Sequence, residues 1–402
     1  MNTRILTKRG ATTSYAFLQA TSWCVFAVLL GFSSNVLCHR GFTDGQISIF
    51  LGGTTALTFF AQLGLGELIS RSHFIRSWHV LVALGCILSA TCLIMVLPGI
   101  SDGAAVCCFG MACLVLQMVP PLVNGVAMDA IKWGSPTNYS LARGIGSLGY
   151  SAGAYITGML VREFSVVSVP VAGAVCGLLF MLAVVWYHYA GEVDAVAGGN
   201  GSEAMQTQDN FLKKYPRFTL FLIGTIFVQI GHTLPSSFMY QIILEKNGTA
   251  EHQGIATAVC ALSELPIMFS FAWLLKKVNC DRWVRIGALC MILKNVIIFL
   301  AVSPAGVYLA QATQMVGFGL YTVSVVTYAE LVVDMGESVR AQSYMGAMGT
   351  IGSLISNSIG GTICQYYGVQ TMVLVGLVSA IIGGVMVALL AQKTERTKER
   401  LN

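Results

Sequence analysis

The chain has 402 residues, of which 55% are hydrophobic and only 10% charged, with a formal net charge of +5. An ordinary soluble domain carries roughly 25% charged residues, so this composition excludes a water-facing globule and predicts an all-α integral membrane protein. A span needs about 20 apolar residues, so the length accommodates about twelve spans and leaves no room for a sizeable extramembrane domain.

In chain order, Arg4, Lys8 and Arg9 precede an apolar run over 13–38, longer than the 7–15 residues of a signal-peptide core, which is read as a retained first span. Further spans are predicted over 46–70, 78–98, 104–133, 139–162 and 165–190, and again over 218–244, 254–275, 284–303, 305–333, 341–366 and 369–392. Between the sixth and seventh lies a polar stretch containing Ala197, Gly198, Gly199, Asn200, Gly201 and Ser202, the composition of a flexible linker. The predicted organisation is an N-terminal six-helix bundle over 1–190, a cytoplasmic linker over 191–217 and a C-terminal six-helix bundle with a short tail over 218–402. Gly146 and Gly149 in the fifth span recur as Gly346 and Gly349 in the eleventh, as a duplicated and pseudo-symmetric unit would give.

Twelve spans put both termini on one side, and short cytoplasmic loops retain Lys and Arg. Eighteen of the 23 Lys and Arg fall on the side of the termini, which predicts cytoplasmic termini and accounts for the positive charge without a nucleic-acid partner. The 12 cysteines lie mostly within apolar runs and show no CxxC or mixed Cys/His spacing, so they read as small hydrophobes, with no metal and no disulfide expected.

Four charges fall inside predicted apolar helix: Asp129, Arg143, Glu264 and Lys294. A charge at mid-membrane costs at least about 2.5–3.5 kcal/mol on insertion scales and marks a cavity, a partner or a function. Asp129 with Arg143, and Glu264 with Lys294, are the natural pairs, and interhelical salt bridges are the structural alternative to a binding role. An Arg fork matches vicinal hydroxyls or a carboxylate, and an acid accepts from hydroxyls. Tyr150, seven residues after Arg143, shares its helix face and offers a ring to stack on a sugar or base. His232 in the seventh span titrates nearest neutrality among these groups, although a lone helical His is more often merely hydrogen-bonded.

The stretch 138–150, Asn-Tyr-Ser-Leu-Ala-Arg-Gly-Ile-Gly-Ser-Leu-Gly-Tyr, resembles the fifth-helix segment of lactose permease and its relatives in the oligosaccharide:proton symporter branch of the major facilitator superfamily. The resemblance implies two six-helix bundles, with Arg143 as the principal sugar contact and Tyr150 in place of a stacking Trp. It also implies Asp129 as the acid paired with the Arg, Glu264 as a sugar-binding acid, Lys294 as the ninth-helix base, and a bacterial cytoplasmic membrane. Gln314 and Gly317 stand where the permease has its tenth-helix His and Glu, and the seventh-helix acids and eleventh-helix Lys have no counterpart, so the proton mechanism does not carry over unchanged. Gly66, Glu67, Leu68, Ile69, Ser70 and Arg71 resemble the superfamily's GxLxD(R/K) signature, with Ser70 in place of Asp.

The expected function is a monomeric secondary transporter importing a small polar solute, a sugar or glycoside, by proton symport, with no cofactor and no enzymatic activity. Asp129, Arg143, Tyr150, Glu264 and Gln314 are the expected solute contacts. If protons are coupled, the carrier should be a buried carboxyl sensitive to burial and to a nearby base, which selects Glu264 first and Asp129 second, with Lys294 and His232 as further candidates. A nucleoside or aromatic-acid transporter, an uncoupled facilitator and a ligand-binding membrane sensor are the alternatives. No GxSxG, HExxH or metal-spaced carboxylate pair points to an enzyme.

Overall fold

A computed structural model describes residues 8–71, 77–132, 137–190, 211–334 and 337–394, which are almost entirely helical. The first half contains α1 (Lys8–Leu29), α2 (Ser33–His39), α3 (Asp44–Arg71), α4 (Ser77–Ile94), α5 (Asp102–Lys132), α6 (Tyr139–Phe164) and α7 (Ser168–Ala190). After a short α8 (Phe211–Lys214) come α9 (Pro216–Ser237), α10 (Met239–Glu245), α11 (Ala250–Lys277), α12 (Cys280–Leu300) and α13 (Pro304–Ala312). A 3₁₀ turn (Thr313–Met315) then leads into α14 (Phe318–Val332), α15 (Ser338–Tyr367) and α16 (Val369–Leu390). Counting α1–α2, α9–α10 and α13–α14 as single crossings gives twelve.

Among the described residues, nine of these crossings are long and apolar enough to span a bilayer on composition alone; α3, α6 and α15 are the other three. In α6 and α15 the apolar signal is diluted by Gly, Ser, Thr, Arg143 and Asn357, residues that suit close helix packing and polar contacts rather than lipid. On other helices, large apolar side chains such as Phe60, Leu182 and Leu300 stand exposed. In a soluble protein such surface would aggregate; here it is the surface that lipid covers.

Three crossings predicted as continuous are interrupted. After α1 the chain makes a wide turn in which Leu30 N and Gly31 N both donate to Phe26 O (3.0 and 3.3 Å); a Cβ at Gly31 would collide with Ala27 O, so only glycine fits. Between α9 and α10 the interruption at Phe238 follows Pro235, which removes a backbone donor. Between α13 and α14 the 3₁₀ turn ends at Val316 and Gly317 adopts φ −88°, ψ −106°, outside helical geometry. Hydropathy is blind to such breaks, because the residues that make them are themselves apolar or small.

Clustering divides the chain into unit 1 (Met1–Arg40 and Thr54–Thr207) and unit 2 (Gly41–Gly53 and Gln208–Asn402). In unit 1, α1 packs on α6 and α7, and α4 on α7 and α5; in unit 2, α9 packs on α15 and α16, and α12 on α16 and α14. The second pattern repeats the first with spans seven to twelve in place of one to six. The initial turns of α3 go with unit 2: Gly45 N donates to Gln365 Oε1 (2.9 Å), Gly361 N to Ser48 Oγ, and Gln241 Nε2 to Asp44 Oδ1 (3.1 Å).

Candidate functional site

Unit 1 contains a polar cluster that α1, α5 and α6 assemble. Helix α6 begins at the Asn138 cap, whose side chain accepts from Leu141 N (3.1 Å), and one turn further Arg143 reaches toward α1. Its guanidinium carbon lies 4.3 Å from the centroid of the Trp23 ring, within the range of a cation–π contact, and Nη1 donates to Ser147 Oγ at 3.4 Å. Tyr150 meets the same indole edge-on, with centroids 6.2 Å apart. The predicted pair on one helix face therefore converges, and on a residue that sequence reasoning passed over.

Behind Trp23 the amides are fully engaged. Trp23 Nε1 donates to Gln19 Oε1 (2.9 Å), and Gln19 Nε2 donates to Tyr15 Oη (2.6 Å) and to Asn124 Oδ1 of α5 (3.1 Å). Tyr15 Oη in turn donates to Val123 O (3.3 Å). Gln19 and Asn124 are amides inside apolar runs, the one signal in the sequence that could have found this network. Asp129, on α5, lies outside the described side chains, as do those of Gly66, Glu67, Leu68, Ile69, Ser70 and Arg71.

Unit 2 contains a second cluster at the break in the tenth crossing. Lys294 of α12 has no accessible surface. Its ammonium donates to Gln314 Oε1 at 2.6 Å, and Gln314 Nε2 donates to Glu264 Oε1 of α11 at 2.8 Å. Gln314, buried at 1% exposure, sits in the 3₁₀ turn, so the helix break itself presents the bridging amide. The expected Glu264–Lys294 partnership is thus present as a chain of three, with a neutral amide between the charges. Close by, Gly319 packs so near Glu264 that a Cβ there would stand 3.2 Å from Glu264 Cγ.

His232 of α9 lies flat against Phe318, with ring centroids 3.5 Å apart and planes at 3°, within electrostatic reach of Lys294. Its Nδ1 is buried without a hydrogen-bond partner among the described residues. A polar seam between α9 and α15 was not anticipated: Gln229 Nε2 donates to Thr233 Oγ1 (3.0 Å) and Ser353 Oγ (3.2 Å), and Ser237 Oγ to Asn357 Oδ1 (2.7 Å). The Cys24 and Cys176 sulfurs approach to 3.7 Å as free thiols.

The Major Facilitator Superfamily profile matches residues 221–402. A point mutant of the nucleoside transporter NupG superposes with a TM-score of 0.78 at 14% identity, covering 95% of this chain and 100% of that one. The chain has the major facilitator fold. The same fold appears in a bacterial homologue of the human lysosomal transporter Spinster, solved inward-facing and unoccupied (TM-score 0.69, 13% identity, 96% of this chain and 97% of that one). It appears too in a POT family transporter in complex with a thioalcohol-conjugated peptide (0.68, 12%, 94% and 94%). No curated protein sequence matches the chain. At these identities the likenesses speak for the major facilitator fold and not for a branch within it, and they do not support the expected lactose permease-like branch.

Proposed function

We propose that the chain is a secondary transporter that carries a small polar solute, a sugar or glycoside, across the bilayer by alternating access coupled to protons. The observation that carries this reading is the Lys294–Gln314–Glu264 chain at a helix break, buried at Lys294 and Gln314 and half-buried at Glu264. Ionisable residues inside a membrane bundle are expensive and are retained for function, and interrupted helices are where transporters place their binding groups. An amide-bridged pair of opposite charges keeps the cluster neutral while leaving a carboxyl as the proton carrier.

On this reading Asp129, Arg143, Tyr150, Glu264 and Gln314 contact the solute. Glu264 loads the proton, Asp129 is the second candidate, and Lys294 and His232 set the electrostatic surroundings of the carboxyl. The Lys and Arg asymmetry supports cytoplasmic termini in a bacterial plasma membrane. A nucleoside is the alternative solute within the same fold, and the likeness to the nucleoside transporter NupG is the observation on its side. The test is uptake by the purified protein in proteoliposomes of labelled sugars, nucleosides, aromatic acids and cationic amines. Saturable uptake of a sugar is expected; uptake of a nucleoside instead would select the alternative, and exclusive uptake of aromatic acids or amines, or of no panel member, would contradict the assignment.

A further inference from the structure

We infer that Trp23 is the ring-binding residue of the N-terminal bundle, that Gln19 is the residue that positions it, and that together with Arg143 they select a glycoside with a flat ring face beside an oxygen pair. The inference rests on the transporter reading above and names its solute contact more narrowly.

Trp23 is half-buried, so part of the indole is open while the rest is anchored. Its N–H is satisfied by Gln19 Oε1 at 2.9 Å, which fixes the ring plane before any ligand arrives. Gln19 has no accessible surface and uses both N–H donors and its carbonyl oxygen on Tyr15, Asn124 and Trp23. A buried amide used only as filler would be cheaper as an apolar residue; one whose three bonds converge on the orientation of a single ring acts as a brace. On the other flank, the ring is admitted only because residue 146 is glycine: a Cβ there would stand 2.8 Å from Trp23 Cδ1.

Arg143 makes the platform chemically selective. The guanidinium carbon lies over the indole ring, 4.3 Å from its centroid, and guanidinium N–H groups donate from the edge, in the plane. The guanidinium lies over one face of the half-buried indole, so a solute ring that stacks on the open part of the indole meets a multiple donor at its edge, which matches adjacent hydroxyl or carbonyl oxygens. A cationic amine would meet Arg143 as a like charge. The Tyr150 edge against the indole completes an aromatic corner in which a ring stacks and an alkyl chain gains less.

The experiment measures initial uptake rates in proteoliposomes for wild type, Trp23→Phe, Trp23→Leu and Gln19→Met, using the panel solute that wild type transports best, together with thermal unfolding of each variant in detergent. Trp23→Leu is expected to raise KM roughly 10- to 100-fold, the size of one lost ring stack, with Trp23→Phe between it and wild type. Gln19→Met is expected to raise KM about fivefold, the size of one lost hydrogen bond, and to lower the unfolding temperature because its buried partners lose their bonds. Wild-type KM in Trp23→Leu would overturn the inference while leaving the transporter reading in place. A Gln19→Met variant that loses stability and kcat but keeps its KM would make Gln19 a structural brace only and overturn its positioning role. No uptake of any sugar or nucleoside by wild type would remove the transporter reading and this inference with it.

Discussion

Lys294 has no accessible surface, yet its ammonium is given an acceptor that is itself hydrogen-bonded to a carboxylate. Removing one partner of such an arrangement leaves the other charge uncompensated in an apolar interior, which typically costs 3–5 kcal/mol. Lys294→Met is therefore expected to destabilise the protein by about 3 kcal/mol, and Lys294→Met combined with Glu264→Gln to cost less than the sum of the single changes. Thermal unfolding of the four proteins in detergent measures this coupling, and strict additivity would mean that the Gln314 amide transmits nothing between the two charges. At Arg143 the indole face of Trp23 adds a cation–π contact.

Among the elements, the glycines of α6 and α15 separate two roles that their spacing makes look alike. Gly149 faces α1 so closely that a Cβ would collide with Ala20 O, whereas Gly346 and Gly349 would have nothing within 4 Å of a Cβ, and the tight glycines of α15 are Gly352, against Gln229 and Ile226 of α9, and Gly360 and Gly361 beyond it. The shift of 200 residues thus pairs positions with unlike surroundings. Gly149→Ala is expected to cost about 1–3 kcal/mol by overpacking, and Gly349→Ala to be neutral or to stabilise by up to about 1 kcal/mol through helix propensity, as unfolding midpoints would report.

A clasp on the soluble side of unit 2 gives a second test at this scale. Lys214 Nζ lies 2.8 Å from Asp334 Oδ2 and 2.7 Å from Glu337 Oε2, and Tyr215 Oη donates to both carboxylates. The Lys214 ammonium, hydrogen-bonded to both, holds the two carboxyls below their usual range, and Asp334 foremost holds Lys214 above its own. Depressed carboxyl values stabilise the clasp above the unfolded carboxylate range, and that contribution disappears as pH falls through the folded values. The raised Lys214 adds stability that is full below the ordinary lysine range and is lost only above it. The clasp's contribution to the unfolding temperature should therefore be constant from about pH 5 to 9, and the unfolding temperature should fall on acidification below that, by less in Lys214→Ala than in wild type.

For the whole molecule, the twelve crossings and the membrane charges Arg143, Glu264 and Lys294 were legible because each is a departure from a simple expectation: too little charge, too long an apolar run, an ion where none is cheap. The convergence of Arg143 with Tyr150 followed from helical spacing, and that of Glu264 with Lys294 from opposite charge on neighbouring crossings. Trp23 was not legible, because a tryptophan in an apolar run looks like any other lipid-compatible ring until Gln19 is seen to hold it. The bridging role of Gln314 was hidden as well, since it depends on a 3₁₀ break that leaves no mark on hydropathy. The seam of Gln229, Thr233 and Ser353 depends on the register of α9 against α15, which only the packed bundle fixes.

The most direct measurement of the central claim is accumulation of the transported solute in proteoliposomes with and without an inward proton gradient, comparing wild type with Glu264→Gln. The account predicts gradient-driven accumulation by wild type and no more than equilibration by Glu264→Gln, because a glutamine in that place keeps the bond to Gln314 but cannot load a proton. Equal accumulation by the two proteins, or equilibration by both whatever the gradient, would contradict it.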